Sequence, residues 1–243
     1  GSPLTLLLLG GFVLSTALER CGAHRRLAML MLHLVGGENP RRLVLGFMIA
    51  AAALSMWISN TATTLMLVPV AIATFQQADD DRLAIPLLLG VAYAASLGGV
   101  GTPIGTPPNL IFMQVFENAT GDSISFLEWM TWGVPIVCLA LPVMWLWLSR
   151  HVRDLPPIRI EEPGVFTTEQ RRVLTVFGVT ALLWVTRREP FGGWSGCFGL
   201  GGDGCGFPQA NDATVAFVAV IALFMLPNGR GGRLLDWESA NRI

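Results

Sequence analysis

Between Arg42 and Asp79 the chain carries no charged residue. Inside that stretch sits a polar island, Ser55-Met56-Trp57-Ile58-Ser59-Asn60-Thr61-Ala62-Thr63-Thr64, with apolar runs leading in from 43 and out to 75. As one straight helix, residues 43–75 would measure roughly 50 Å at about 1.5 Å per residue. The hydrocarbon core of a bilayer is only ~30 Å thick. Broken at 59–61, the stretch becomes two arms of roughly 24 Å or less. Arms that short enter a bilayer, stop part-way and return to the same side. Irregular backbone at that depth is tolerated only where protein buries it or where it lines a wet cavity. The alternative is one long tilted helix whose Ser and Thr hydroxyls bond back to the preceding turn.

The chemistry of the island suits ligands. Side-chain oxygens of Ser55, Ser59 and Asn60, with carbonyls freed where a helix breaks, suit a hard cation that takes oxygen ligands. Asn60 and Thr61 fall where the second arm begins. A helix start presents free N–H groups and partial positive charge, which favours an anion such as a carboxylate.

Composition places the chain among membrane proteins. Hydrophobic residues make up 52%, charged residues 14%, and the mean hydropathy is +0.56. The net charge of −1 gives no electrostatic footprint for nucleic acid. The chain opens Gly1-Ser2-Pro3, without Met, and runs straight into apolar sequence. It reads as a piece of a longer protein, or as one whose first two residues come from cloning.

Taken in order, residues 1–42 read as the end of a membrane helix followed by an interfacial helix. Arg20, Arg25, Arg26, Arg41 and Arg42 mark that side as cytoplasmic. His24 and His33 read as interfacial rather than as ligands, because no Cys or Asp spacing supports a metal site. Residues 43–76 form the re-entrant hairpin, and the Asp79-Asp80-Asp81-Arg82 run reads as a solvated turn. Residues 83–117 form a discontinuous membrane helix. Its break is Ser96-Leu97-Gly98-Gly99-Val100-Gly101-Thr102-Pro103-Ile104-Gly105-Thr106-Pro107-Pro108-Asn109. That density of Gly and Pro stops a helix, and a pair of interrupted segments is the best sequence pointer to a transport site. The other reading of this break is an ordinary extramembrane loop.

Residues 123–149 read as a membrane helix: an amphipathic interfacial piece up to Trp132, then a span ending near Trp145 and Trp147 at the interface. Residues 150–172 form a cytoplasmic linker. Residues 173–226 hold two membrane helices joined by an outer Gly-rich loop. Arg187 and Arg188, at the start of that loop, run against the positive-inside trend. Cys197 and Cys205 lie in the loop, either as a disulfide in an oxidising compartment or as two free thiols; Cys21 and Cys138 read as unpaired. Residues 227–243 read as the start of a further segment, cut short.

An enzyme would need an acid, base or nucleophile at depth. All three His, at 24, 33 and 151, lie in charged flanks, and no His-Glu-x-x-His, Gly-x-Ser-x-Gly or Walker loop occurs. The chain therefore reads as a non-enzyme.

Two stretches carry a specific resemblance. SMWISNTATTLMLVPVA (55–71) and ASLGGVGTPIGTPPNLIF (95–112) resemble the divalent anion/sodium symporter family, and GGF…LERCGAHRRLA (10–28) and DATVAFVAVIALFMLP (212–227) are similar to it too. The likeness covers essentially the whole chain. It implies an all-α membrane protein: an inverted-repeat transporter with a re-entrant helical hairpin and a discontinuous helix, one repeat's site present and the second incomplete. It implies sodium-coupled symport of di- or tricarboxylates of the succinate, malate and citrate class. The expected transport is elevator-type, by a homodimer when full length, in the lipid bilayer of a bacterial cytoplasmic membrane.

Carried over residue by residue, the resemblance implies sodium at Ser55, Ser59, Asn60 and the carbonyl of Gly105. It implies substrate carboxylate at Asn60 and Thr61, with Thr106, Pro107 and Asn109 shaping the supporting loop. Sodium is the implied ion and a small carboxylate the implied partner. No second Ser-Asn-Thr tip and no second Pro-rich break occur before Ile243, so the expectation is the middle of a transporter with one half-site. The alternatives are a related transporter or exchanger of sulfate or another anion, or a membrane fragment that does not transport.

Overall fold

The computed structural model describes residues 3–36, 39–78, 81–152, 164–187, 193–195 and 210–240. Ten α-helices run through them: α1 (Pro3–Arg20), α2 (Ala23–Met31), α3 (Pro40–Ser55), α4 (Asn60–Ala78), α5 (Ala84–Gly98), α6 (Pro107–Thr120), α7 (Phe126–Leu148), α8 (Thr168–Val185), α9 (Asp212–Met225) and the single turn α10 (Trp237–Ala240). A π-helical turn follows α2 at Leu32–Gly36, and 3-10 turns occupy Asp81–Leu83 and Ser149–His151. Among the described residues the only extended pairing is a single bridge between Pro227 and Arg233. The fold is all-α, as the sequence leads one to expect.

The chain divides into two compact units. The first comprises Gly1–Ala23, Pro107–Thr131 and Thr167–Ile243; the second comprises His24–Thr106 and Trp132–Phe166.

In the second unit α3 is the central element, packed on α5, on the π-helical turn and on α4. Asn39 caps it, accepting from the backbone N–H groups of Arg41 and Arg42, and Pro40 opens it where a missing N–H costs nothing. Its Ala50-Ala51-Ala52 run is buried against α5, whose Gly90 meets Met48 and whose Gly98 meets Ala52. The two pairs follow the same order along both chains, so α3 and α5 run in the same direction. Small residues at such a contact let two backbones approach, which is how helices associate without a hydrophobic driving force.

The first unit is built on α1, which packs along α9, with α6, α8 and α10 also against it. Gly10 is the close-approach point, since a Cβ there would lie 2.5 Å from that of Ala216. Trp184 and Phe126 are both fully buried and stack at 4.7 Å between ring centroids. Capping boxes start α8 (Thr167 with Gln170) and α9 (Asn211 with Thr214). Arg187 places Nε 2.5 Å from Asp212 Oδ1 and Nη2 3.2 Å from Oδ2, and both residues are buried. The charge that breaks the positive-inside trend is thus neutralised within the fold. Arg188, Cys197 and Cys205 lie outside the described residues.

Among the described residues two helices, α1 and α7, are long and apolar enough to cross a membrane; α5 and α9 are shorter apolar helices. α7 turns Ile136, Leu139, Val143 and Leu146 outward, the reverse of a helix packed for water.

Three boundaries differ from the sequence reading. The second break is narrower than 96–109, because Ser96–Gly98 still belong to α5 and Pro107–Asn109 to α6. Pro107 and Pro108 open that helix instead of interrupting it, since the first N–H groups of a helix have no partner to lose. Residues 126–148 make one helix with Pro135 and Pro142 inside it, so no separate piece ends at Trp132.

Candidate functional site

The island interrupts the helix as its residue types dictate. α3 ends at Ser55, and Met56, Trp57 and Ile58 close its last turn with N–H bonds to Ala52 and Leu54 carbonyls. Ser59 then acts as the cap of α4: its hydroxyl accepts from Ala62 N–H at 3.1 Å and its carbonyl from Thr63 N–H at 3.0 Å. Asn60 is the first residue of α4. Its N–H and that of Thr61 are the free donors of a helix start.

Ser55 is fully buried, and its Oγ donates to Asn60 Oδ1 at 2.5 Å. That bond fixes the amide, leaving Nδ2 as the donor edge. Asn60 is half-buried, while Ser59 and Thr61 are exposed.

The second break packs onto the first. Thr102, fully buried, donates its hydroxyl to the Met56 carbonyl, one of those left over at the end of α3. A Cβ on Gly98 would lie 2.3 Å from the Ala52 carbonyl oxygen, and one on Gly99 would lie 2.7 Å from Asn60 Oδ1. Gly105 is buried and closes in turn on Gly99, 2.5 Å from that carbonyl oxygen by the same measure. The glycines are therefore steric requirements: any side chain at these points would push the two breaks apart.

Of the residues expected from sequence, Ser55, Ser59, Asn60, Thr61, Gly105 and Thr106 all belong to the second unit. Ser55 and Asn60 touch directly, and Gly105 reaches Asn60 through Gly99. Thr106 is half-buried at the end of the break. Pro107 and Asn109 open α6 in the first unit, with Asn109 buried. There Pro107 lines a mostly apolar groove of about 250 Å³ with Leu4, Leu8 and Leu110.

Residues not singled out from sequence also contribute. Thr102 and the Met56 carbonyl form the tie between the breaks, and Gly99 is the contact of Asn60. Thr63, one turn along α4, is buried, and its Oγ1 is a buried side-chain oxygen with no hydrogen-bond partner among the described residues. Its neighbour Thr64 instead bonds back to the Asn60 carbonyl at 2.8 Å, the usual habit of a hydroxyl inside a helix.

The donor set is neutral oxygen: two hydroxyls, an amide and break carbonyls. Among the described residues no three His, Cys, Asp or Glu side chains cluster as metal ligands. Such a set fits a hard cation better than a transition metal. An anion here would meet amide and hydroxyl donors and a helix start, since neither break carries an Arg.

The chain is all-α, and its two breaks meet at polar, charge-free turns. Residues 1–226 match the family model described as citrate transporter. The chain belongs to this family, which agrees with the divalent anion/sodium symporter resemblance. It is 32% identical, over 268 aligned residues, to the sodium-dependent dicarboxylate transporter SdcS of Staphylococcus aureus strain NCTC 8325 / PS 47, an alignment covering 100% of this chain and 49% of that relative. The SdcS of S. aureus strain COL gives the same figures. The chain thus spans about half the length of the curated relatives it matches. These relatives are transporters by name, not enzymes, and the chain is an integral membrane protein.

Proposed function

We propose that this chain carries one half-site of a sodium-coupled symporter for di- or tricarboxylates, of the succinate, malate and citrate class. The working transporter is then a homodimer of the full-length protein, moving its site by an elevator motion in a bacterial cytoplasmic membrane. Residues 43–76 are the re-entrant hairpin of that reading and residues 83–117 its discontinuous helix, belonging to one of two inverted repeats. The names of the relatives support sodium and dicarboxylate. The observation that carries the reading is the meeting of the two breaks at Asn60: Ser55 on one side, Gly99 and Gly105 on the other.

In this reading Ser55, Ser59, Asn60 and the Gly105 carbonyl hold sodium. Oxygens around a cation with ligand distances of ~2.3–2.6 Å stand roughly 3.3 Å apart when they subtend a right angle. Ser55 Oγ and Asn60 Oδ1 are 2.5 Å apart, so sodium must part them and break the hydrogen bond between them, the Ser55 hydroxyl keeping its proton and turning it away from the ion. The Asn60 Nδ2 edge and the Thr61 N–H then face the carboxylate, with Thr106, Pro107 and Asn109 shaping the loop. An anion at mid-membrane depth otherwise lacks compensation, so sodium binds first and creates the anion site.

The test is uptake of labelled succinate by cells expressing the protein from its complete reading frame. Asn60→Ala should abolish sodium-dependent uptake while surface expression is kept. Undiminished uptake would refute the site. Uptake of labelled sulfate, with no uptake of labelled succinate or citrate, would assign the architecture to another anion.

A further inference from the structure

We propose that the second unit carries a headgroup site for an anionic phospholipid, formed by Arg41 and Arg42 at the start of α3 and by Trp145, Trp147 and Arg150 at the end of α7. α7 is long and apolar enough to cross a membrane, so its end marks a bilayer surface. Tryptophan favours that depth, where its ring is apolar and its N–H is wet.

The fold brings the start of α3 to this end of α7. Trp145 Nε1 donates to the Arg41 carbonyl at 2.8 Å. The Arg41 guanidinium lies 5.4 Å from the centre of the Trp145 ring, and its Nε and Nη2 each donate to Ser149 Oγ at 3.3 Å. Arg150 lies 4.8 Å from the centre of the Trp147 ring. Arg42 and Arg150 are exposed. Among the described residues the side-chain partners of the Arg41 and Arg150 guanidinium groups are a hydroxyl and two indole rings, all uncharged. Among the described residues, Arg41 and Arg150 are thus held in place with no carboxylate against them, and Arg42 is exposed next to Arg41. The start of α3 adds the positive end of its dipole at the same point.

Arginine at this density recognises phosphate. What selects a lipid over free phosphate is the surface next to it. Leu139, Val143 and Leu146 are exposed at helical spacing along α7, and the stripe ends at Arg150. One molecule with an anionic head and an apolar tail matches both features. The inference stands apart from the carboxylate reading, because it invokes no residue of the two breaks.

The experiment is native mass spectrometry of the purified protein, made from its complete reading frame and titrated with phosphatidylglycerol or phosphatidylcholine of identical chains. Phosphatidylglycerol should be retained in preference. Each arginine near a membrane surface contributes about fivefold, so R42Q/R150Q should lower the preference by about 25-fold. Both side chains are exposed, and the double variant should keep the helical circular dichroism of the parent. R230Q/R233Q, with the same loss of charge elsewhere, should leave the preference intact. An unchanged preference in R42Q/R150Q, or an equal loss in R230Q/R233Q, would overturn the site. Displacement of the lipid by millimolar inorganic phosphate would overturn the choice of a lipid as its ligand.

Discussion

Ser55, which closes α3, donates a hydrogen bond to the side-chain oxygen of Asn60, which opens α4, and so ties together the two ends of a broken helix. If sodium binds between those two oxygens, Ser55→Ala removes one ligand and leaves the fold standing. A lost hydrogen bond to a charged group is worth about 1.5–3 kcal/mol, so the sodium concentration for half-maximal uptake should rise about tenfold or more. Uptake at saturating sodium should be largely kept. Initial rates against sodium concentration check this.

Gly99 and Gly98 hold the two breaks in register. Gly99→Ala drives a methyl into the Asn60 side chain, and Gly98→Ala drives one into the Ala52 carbonyl. Each should lower stability by about 1–3 kcal/mol through overpacking, and each should impair sodium-dependent uptake. Gly178 gives the contrast: it sits inside α8 with open space around it. Gly178→Ala should be neutral or stabilising by up to about 1 kcal/mol, from helix propensity alone. Thermal unfolding of the three variants in detergent separates them.

Arg187 and Asp212 form a buried, two-point ion pair, with Trp184 donating to the Asp212 carbonyl alongside. Removing one partner leaves the other charge buried and alone. Arg187→Leu or Asp212→Asn should therefore cost about 3–5 kcal/mol. Replacing both with apolar residues should cost less than the sum of the two, and a thermal-shift double-mutant cycle measures the difference.

Cys21 follows the end of α1 and is half-buried. Burial pushes its thiol up from the ordinary value, with the Ala23 backbone N–H opposing and the Glu169 carboxylate adding to the rise. The folded thiol therefore holds its proton to higher pH than the unfolded one. Its contribution to stability is complete below the ordinary thiol range and is lost as pH rises through and above it. In a variant with Cys138, Cys197 and Cys205 changed to Ser, alkylation of the folded protein at pH 8 should be slower than that of the denatured protein. The gap should narrow as pH rises past the ordinary thiol value.

The two breaks were legible because their chemistry is local. Ser59-Asn60-Thr61 supplies a cap and a helix start, and no helix runs through Gly98-Gly99-Val100-Gly101 without loss. What lay beyond the sequence was the meeting of the breaks, since the bond from Thr102 to Met56 joins residues 46 positions apart. Gly99 could be suspected as a breaker, but only the fold shows that its missing side chain makes room for Asn60. Pro107 and Pro108 misled, since they begin a helix where the reading has them interrupt one. Pro135 and Pro142 sit within α7, where the reading already runs a membrane helix. Membrane helices tolerate such prolines because neighbouring groups take up the freed carbonyls. Arg187 looked like a free charge because its partner Asp212 lies across a 25-residue separation.

The most direct test of the central claim is calorimetric binding of succinate to the purified protein, made from its complete reading frame, in sodium chloride and again in choline chloride. The account predicts binding in sodium that disappears in choline, and no binding to Asn60→Ala in either salt. Equal binding with and without sodium would contradict it.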